Sequence, residues 1–179
     1  LLFWGGDQWH YREPNTIHDL FCMWGTDINN IHAVGGEGTY RFHDGKQFQR
    51  KDELTSEEVS LYGVWGAAID DVYIVGSHGT ILHFDGNEEG EWVPMESGTE
   101  EYLLSVWGSS PNDIFAVGDN ATILHYDGKS WSAMDLGTDK YLTKVRGLRS
   151  DCIYAVGDDG LVIRFDGKKW NDMSLGEGA

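Results

Sequence analysis

Basic residues are scarce in this chain: 13 Lys and Arg stand against 30 Asp and Glu over 179 residues, a formal net charge of −17. A field of that sign argues against nucleic acid as a partner, because its binders carry basic stripes. It is compatible with a cationic partner, with Ca²⁺ held by loop carboxylates, or with an acidic surface that only keeps the chain dissolved. Cysteine is rarer still. Cys22 and Cys152 cannot build a disulfide framework, and they read as free core thiols. Proline occurs three times. No apolar run approaches the ~18 residues of a membrane-spanning helix. No leader pattern and no initiator Met opens the sequence, so targeting is not legible; a place outside the cytoplasm is favoured as an expectation.

What the chain does have is glycine, 24 residues of it, and an aromatic content of 13%. Both recur in register. Trp-Gly begins at Trp24, Trp65 and Trp107, with Arg146-Gly147 as a variant. Val-Gly begins at Val34, Val75, Val117 and Val156, and Asp-Gly at Asp44, Asp85, Asp127 and Asp166. Each set advances by 41, 42 and 39 residues (65−24, 107−65, 146−107). Three anchors drifting together define a repeat. "LLFWGGDQW" aligns with "ILHYDGKSW", placing Gly6 and Trp9 on Gly128 and Trp131. The single domain therefore divides into a partial unit at 1–16 and full units at 17–58, 59–100, 101–140 and 141–179.

Within one unit the apolar residues fall into four short runs, exemplified by Leu103–Trp107, Ile114–Val117, Thr122–Tyr126 and Trp131–Met134. They are β-branched and aromatic, and too short for helices. Turn compositions separate them: Gly-Ser-Ser-Pro-Asn, Gly-Asp-Asn-Ala and Asp-Gly. Asp127-Gly128 is expected to form a two-residue type I′ hairpin. Four antiparallel strands, here A to D, in about 40 residues make one propeller blade. The expected fold is all-β, a β-propeller of about five blades, four complete and one partial.

The repeated tryptophans are expected to fill the wedge between neighbouring blades, where each buries a large apolar area. Residues that break the repeat are the candidates for function. Arg146 replaces a Trp, and Lys144 and Arg149 lie nearby; a planar guanidinium suits an anion or carboxylate clamp, while a last blade with a different neighbour explains the same change structurally. His83 and His125 occupy one slot on strand C of adjacent units, with Arg164 in that slot of the last. These six residues are the candidate ligand-binding set. No His or Cys spacing resembles a metal site, and Ca²⁺ is the one cofactor the loop carboxylates would suit.

Those carboxylates crowd the D-to-A connections ("KDELTSEEVS", "MESGTEEY", "MDLGTDKY") and the B-to-C loops, at Glu37, Asp119, Asp158 and Asp159. In propellers both loop sets emerge on one face, usually the ligand face. No nucleophile elbow, phosphate loop or metalloprotease helix is present.

The units resemble bacterial propeller repeats of the pattern "VWG…DVYAVG…GTILHYDG..W", and more distantly the Asp-box propellers of sialidases and of photosystem II assembly-factor-like proteins. They are similar also to Kelch units through Val34-Gly35-Gly36 and the later aromatic-Asp followed by Trp131 or Trp170. The resemblance spans the whole chain and implies fold rather than activity. Asp127-Gly128-Lys129-Ser130-Trp131 is one residue shorter than an Asp-box, and Arg12, Arg41, Arg50, Arg146, Arg149 and Arg164 form no sialidase-like triad motif. The function expected first is a non-catalytic binding or scaffold module that recognises a protein or glycan on its loop face. The alternatives are an Asp-box-type glycan-processing enzyme and a structural repeat in a larger assembly. Half a blade plus four blades gives eighteen strands, leaving one unfinished sheet edge. That edge points to an incomplete ring, part of a larger one, or pairing between chains in a homo-oligomer.

Overall fold

The computed structural model describes residues 2–4, 7–11, 16–50, 54–86 and 91–174, and for 2–4, 9–11 and 50 it describes the backbone alone. Gly6 and the side chain of Trp9 lie outside that description. Among the described residues there are eighteen strands. Sixteen form four antiparallel sheets of four, each a simple meander A-B-C-D. The first blade comprises Leu20–Asp27, Asn30–Gly35, Tyr40–His43 and Phe48–Arg50; the second Leu61–Ala68, Asp71–Gly76, Ile81–Phe84 and Val93–Pro94. The third comprises Leu103–Ser110, Asp113–Gly118, Ile123–Tyr126 and Trp131–Ala133; the fourth Leu142–Arg149, Cys152–Gly157, Val162–Phe165 and Trp170–Asp172. Leu2–Trp4 and Trp9–Tyr11 pair as a separate two-stranded sheet, the expected C and D strands of the partial unit.

Two turn expectations are corrected. Tyr126 pairs with Trp131, so the Asp-Gly connection is a four-residue loop, Asp127–Ser130, in which Gly128 has φ +89° while Asp127 stays on the negative side. The Asp127 carboxylate closes it by accepting the amides of Lys129 (2.9 Å) and Ser130 (3.0 Å). Asp44 and Asp166 do the same in their units. Side-chain closure of this kind competes with the two-residue turn, and here it wins. The turns with two consecutive positive-φ residues are instead the B-to-C connections: Glu37-Gly38, His78-Gly79, Asn120-Ala121 and Asp159-Gly160. The A-to-B break is also shorter than its composition suggests. Ser110 still pairs with Asp113, leaving Pro111-Asn112 as the turn, and a register shift between Gly108 and Ser110 absorbs its twist.

Adjacent blades meet in chain order, first to second to third to fourth, chiefly through their strands A. The Trp of each Trp-Gly lies over the glycine of the next unit. A Cβ added to Gly66, Gly108 or Gly147 would sit 2.4, 2.6 and 2.5 Å from Trp24, Trp65 and Trp107 respectively. A second aromatic layer runs further out. Tyr73 on strand B of the second blade packs against Tyr126 (5.8 Å) and Trp131 (6.4 Å) of the third. Phe115 of the third meets Phe165 (5.2 Å) and Trp170 (5.8 Å) of the fourth. The wedge role expected of the tryptophans is what the structure shows. Three apolar cores result, one per blade junction. Among the described residues no comparable packing joins the fourth blade to the first.

Candidate functional site

The B-to-C turns and the D-to-A connections come together at one end of the blades. The B-to-C turns of the first three blades are each held from two sides by backbone hydrogen bonds, and that of the fourth from its own strand A, by the Asp158 amide on Tyr141 O (3.1 Å). In the third blade the Asp119 amide donates to Tyr102 O (2.9 Å) at the start of its own strand A, and the Ala121 amide donates to Lys140 O (2.9 Å) at the entry to the next blade. The second blade repeats this with Ser77 on Ser60 O and Gly79 on Glu101 O, both 2.9 Å. Gly79 is required there: its φ is +64°, and a Cβ would fall 1.9 Å from Thr99 O.

These bonds fix a row of aromatic side chains at the loop ends of the inner strands. Phe21 stacks on Tyr62 (5.5 Å between ring centres), Tyr62 stacks on Tyr102 (6.1 Å), and His78 meets Tyr102 edge-on (5.4 Å). The row is unusual for being open: Phe21 is 47% exposed and Tyr102 38%, and Tyr141, in Tyr102's place one blade on, is 49% exposed. Sequence reasoning singled out none of these four. Their signal was an aromatic at or beside the first residue of strand A in every unit, Phe21, Tyr62, Tyr102 and Tyr141, hidden by one-residue offsets.

Carboxylates gather at the Tyr102 end of the row, where the Asp119 amide donates to Tyr102 O. Asp119 is held above the usual carboxylate range, first by burial and then by the charges of Glu101 and Asp158, so three acids share one neighbourhood. Asn120 Nδ2 donates to Glu101 Oε1 (3.4 Å), and Lys140 Nζ stands 3.7 Å from Asp159. A cleft of about 430 Å³ opens alongside, lined by Leu54, His78, Pro94, Met95, Glu96 and Glu100 among others. Among the described residues no group of three or more His, Cys, Asp or Glu gathers to hold a metal ion, and no helix is long and apolar enough to cross a membrane.

The six candidates read from sequence lie elsewhere and do not form one cluster. His83 and His125 sit on strand C with Nε2 against Asp71 Oδ1 (2.7 Å) and Asp113 Oδ1 (2.8 Å), and they stack on Tyr73 (4.2 Å) and Phe115 (4.5 Å). His83 also lines a groove of about 370 Å³ with Val93, Lys129 and Trp131. In the fourth blade the His–Asp pair changes as a unit: Arg164 stands for His and Cys152 for Asp, with the Cys152 thiol hydrogen-bonded to the guanidinium, the first cause of its raised pKa. Arg164 Nη2 also donates to Asp151 O (3.3 Å). Both cysteines are free. Arg149 lies at the opposite, A-to-B end, paired with Asp151. Arg146 folds onto the edges of the inner strands, where Nη1 donates to the carbonyls of Val145 (3.0 Å) and Val106 (3.2 Å). Lys144, Arg146 and Arg164 share the flank of the last blade, not the loop end.

The solved structures that this chain resembles agree on architecture. YCF48 bound to D1 peptide matches with a TM-score of 0.72 at 15% identity, over 90% of this chain and 55% of that one. YCF48 from Cyanidioschyzon merolae matches with a TM-score of 0.69 at 15% identity, over 92% of this chain and 59% of that one. The fold is a β-propeller. At that identity the likeness carries fold alone, and this chain spans under three-fifths of the length of either structure. No protein-family model matches the chain, and no curated protein does.

Proposed function

We propose that this chain is a non-catalytic binding module whose ligand is a cationic stretch of polypeptide, held at the loop end of the blades. The observation that carries the reading is the open stack Phe21–Tyr62–Tyr102 with Glu101, Asp119 and Asp158 beside it. Exposed aromatic faces attract Lys and Arg, and carboxylates held close to one another gain most from a cation that relieves their repulsion. The adjoining cleft, with Leu54, Pro94 and Met95 in its wall, would take an apolar side chain of the same segment. A propeller solved with a bound peptide is among the structures the chain resembles, which makes a polypeptide a better supported ligand than a glycan. An array of cationic, neutral and acidic peptides, run beside a glycan array and a glycosidase substrate panel, tests it. Retention of Lys- and Arg-rich peptides is expected. Preference for acidic peptides, or turnover of a glycoside, would overturn it.

A further inference from the structure

The connections that enter the third and fourth blades, "MESGTEEY" and "MDLGTDKY", align without a gap, Glu101 on Lys140 and Tyr102 on Tyr141. Their backbones make the same bonds. Glu101 O accepts the Gly79 amide and Lys140 O the Ala121 amide, both at 2.9 Å. Tyr102 O and Tyr141 O accept the Asp119 and Asp158 amides, at 2.9 and 3.1 Å. The side chains also reach equivalent places, each the second residue of the B-to-C turn that follows. Glu101 Oε1 accepts a hydrogen bond from Asn120 Nδ2 (3.4 Å), and Lys140 Nζ stands 3.7 Å from Asp159 Oδ2.

Only the charges are exchanged. Beside Tyr102 the chain supplies the carboxylates of Glu101 and Asp119 and a neutral Asn120. Beside Tyr141 it supplies those of Asp158 and Asp159 together with an ammonium of its own. Among the described residues of the B-to-C turns (36–39, 77–80, 119–122, 158–161) and the D-to-A connections (54–60, 95–102, 134–141), Lys140 is the single Lys or Arg. Each of those connections bears at least two carboxylates. Stability does not account for this lysine: its side chain and that of Asp159 are 40% and 79% exposed, and ion pairs so open to water contribute little.

We infer that Lys140 determines the specificity of the loop end: it sets the chain's own cation beside Tyr141, where a Lys or Arg of the ligand would otherwise lie, and confines the ligand's cation to Tyr102. This role holds only if the loop end takes a cationic peptide, as proposed above. A peptide cation at Tyr102 meets carboxylates, whereas a second one at Tyr141 meets like charge. The loop end thereby offers one cation subsite instead of two, which fixes how the peptide lies across the blades.

Calorimetric titration of one Lys- and Arg-rich peptide tests the inference with the native chain, Lys140→Arg, Lys140→Gln and Lys140→Glu. Lys129→Glu makes the same change of net charge on the C-to-D loop, at the opposite end of the blades. Unaltered urea midpoints establish that each variant folds, and Lys140→Gln carries the test if Lys140→Glu does not. Lys140→Arg is expected to match the native chain, Lys140→Gln to bind more tightly, and Lys140→Glu about two- to fivefold more tightly, the worth of one exposed ion pair. Lys129→Glu should leave binding unchanged. Tyr141→Ala should be silent in the native chain and weaken Lys140→Glu about two- to fivefold, the worth of an exposed cation–π contact. No tightening from either Lys140→Gln or Lys140→Glu, equal tightening from Lys129→Glu, or a loss from Tyr141→Ala in the native chain would each overturn the role of Lys140, while Tyr102-dependent binding would keep the cationic-peptide reading. A native chain that binds no such peptide would overturn both.

Discussion

The six-membered ring edge of Trp107 rests on Gly147, so close that a Cβ on that glycine would come within 2.6 Å of two of its carbons. Arg146, the residue before that glycine, occupies the Trp slot of its own blade and covers no glycine at all. One repeat position thus does two different jobs. Trp107→Ala should cost about 3 kcal/mol in urea unfolding, the scale for emptying a packed aromatic site. Arg146→Ala, on an exposed residue, should stay within ~0.5 kcal/mol. Equal losses would mean that the slot is not what joins the blades.

His32 should make the fold acid-sensitive. It is 3% exposed among Trp24, Tyr40, Phe42 and Trp92, with Nδ1 2.9 Å from the Tyr40 hydroxyl. Burial lowers its pKa from 6.5 to about 4. The unfolded chain therefore takes up a proton that the folded chain refuses between those values. Stability is complete above pH 6.5, falls as the pH drops toward 4, and levels off below, a loss of about 3 kcal/mol at 1.36 kcal/mol per unit. Urea midpoints from pH 7.5 to 4 check it, and His32→Phe should flatten that part of the curve.

The Asp-Gly loops also lose stability on acidification, but in a lower pH window and because the charged form is favoured rather than disfavoured. Amides of Gln47 and Lys46 hold Asp44 at about 2, and those of Lys169 and Lys168 hold Asp166 at about 2. The folded pKa is below the unfolded one, so this contribution is present above about pH 4 and is lost as the pH falls through 2. Carboxyl carbon shifts followed by NMR should place both midpoints near pH 2. Midpoints near 3.8 would show that the loops are open in solution.

Asp119 is poised in the other direction, its pKa raised by burial and by Glu101 and Asp158. A raised carboxylate pKa weakens the fold at neutral pH, and protonation on acidification relieves it. Asp119→Asn should therefore raise the melting temperature slightly while weakening a bound cationic peptide about two- to fivefold, the worth of one exposed ion pair. Stability traded for binding in this way marks a functional group. A variant that loses stability instead would remove Asp119 from the site.

The propeller was legible because its determinants repeat: Trp-Gly, Val-Gly and Asp-Gly each carry a backbone or packing requirement that recurs in every unit. The turns were misread where a side chain intervened. Asp127 closes its loop through its carboxylate, which composition does not distinguish from a type I′ turn. The candidate site was legible in part. Loop acids such as Asp119 and Asp158 stood out by composition, whereas Tyr62 and Tyr102 meet only because consecutive inner strands run side by side, a contact across some 40 residues. Lys144, Arg146 and Arg164 stood out as exceptions to the repeat, but they mark the flank of the last blade rather than the loop face.

Calorimetric titration of a Lys- and Arg-rich peptide into the native chain and into Tyr102→Ala tests the central claim most directly. Saturable binding to the native chain is expected, weakened two- to fivefold in the variant, the ~0.5–1 kcal/mol of an exposed cation–π contact, and unaffected by Arg146→Glu on the flank. Binding that ignores Tyr102 but is altered by Arg146→Glu would place the ligand on the last blade and contradict the account.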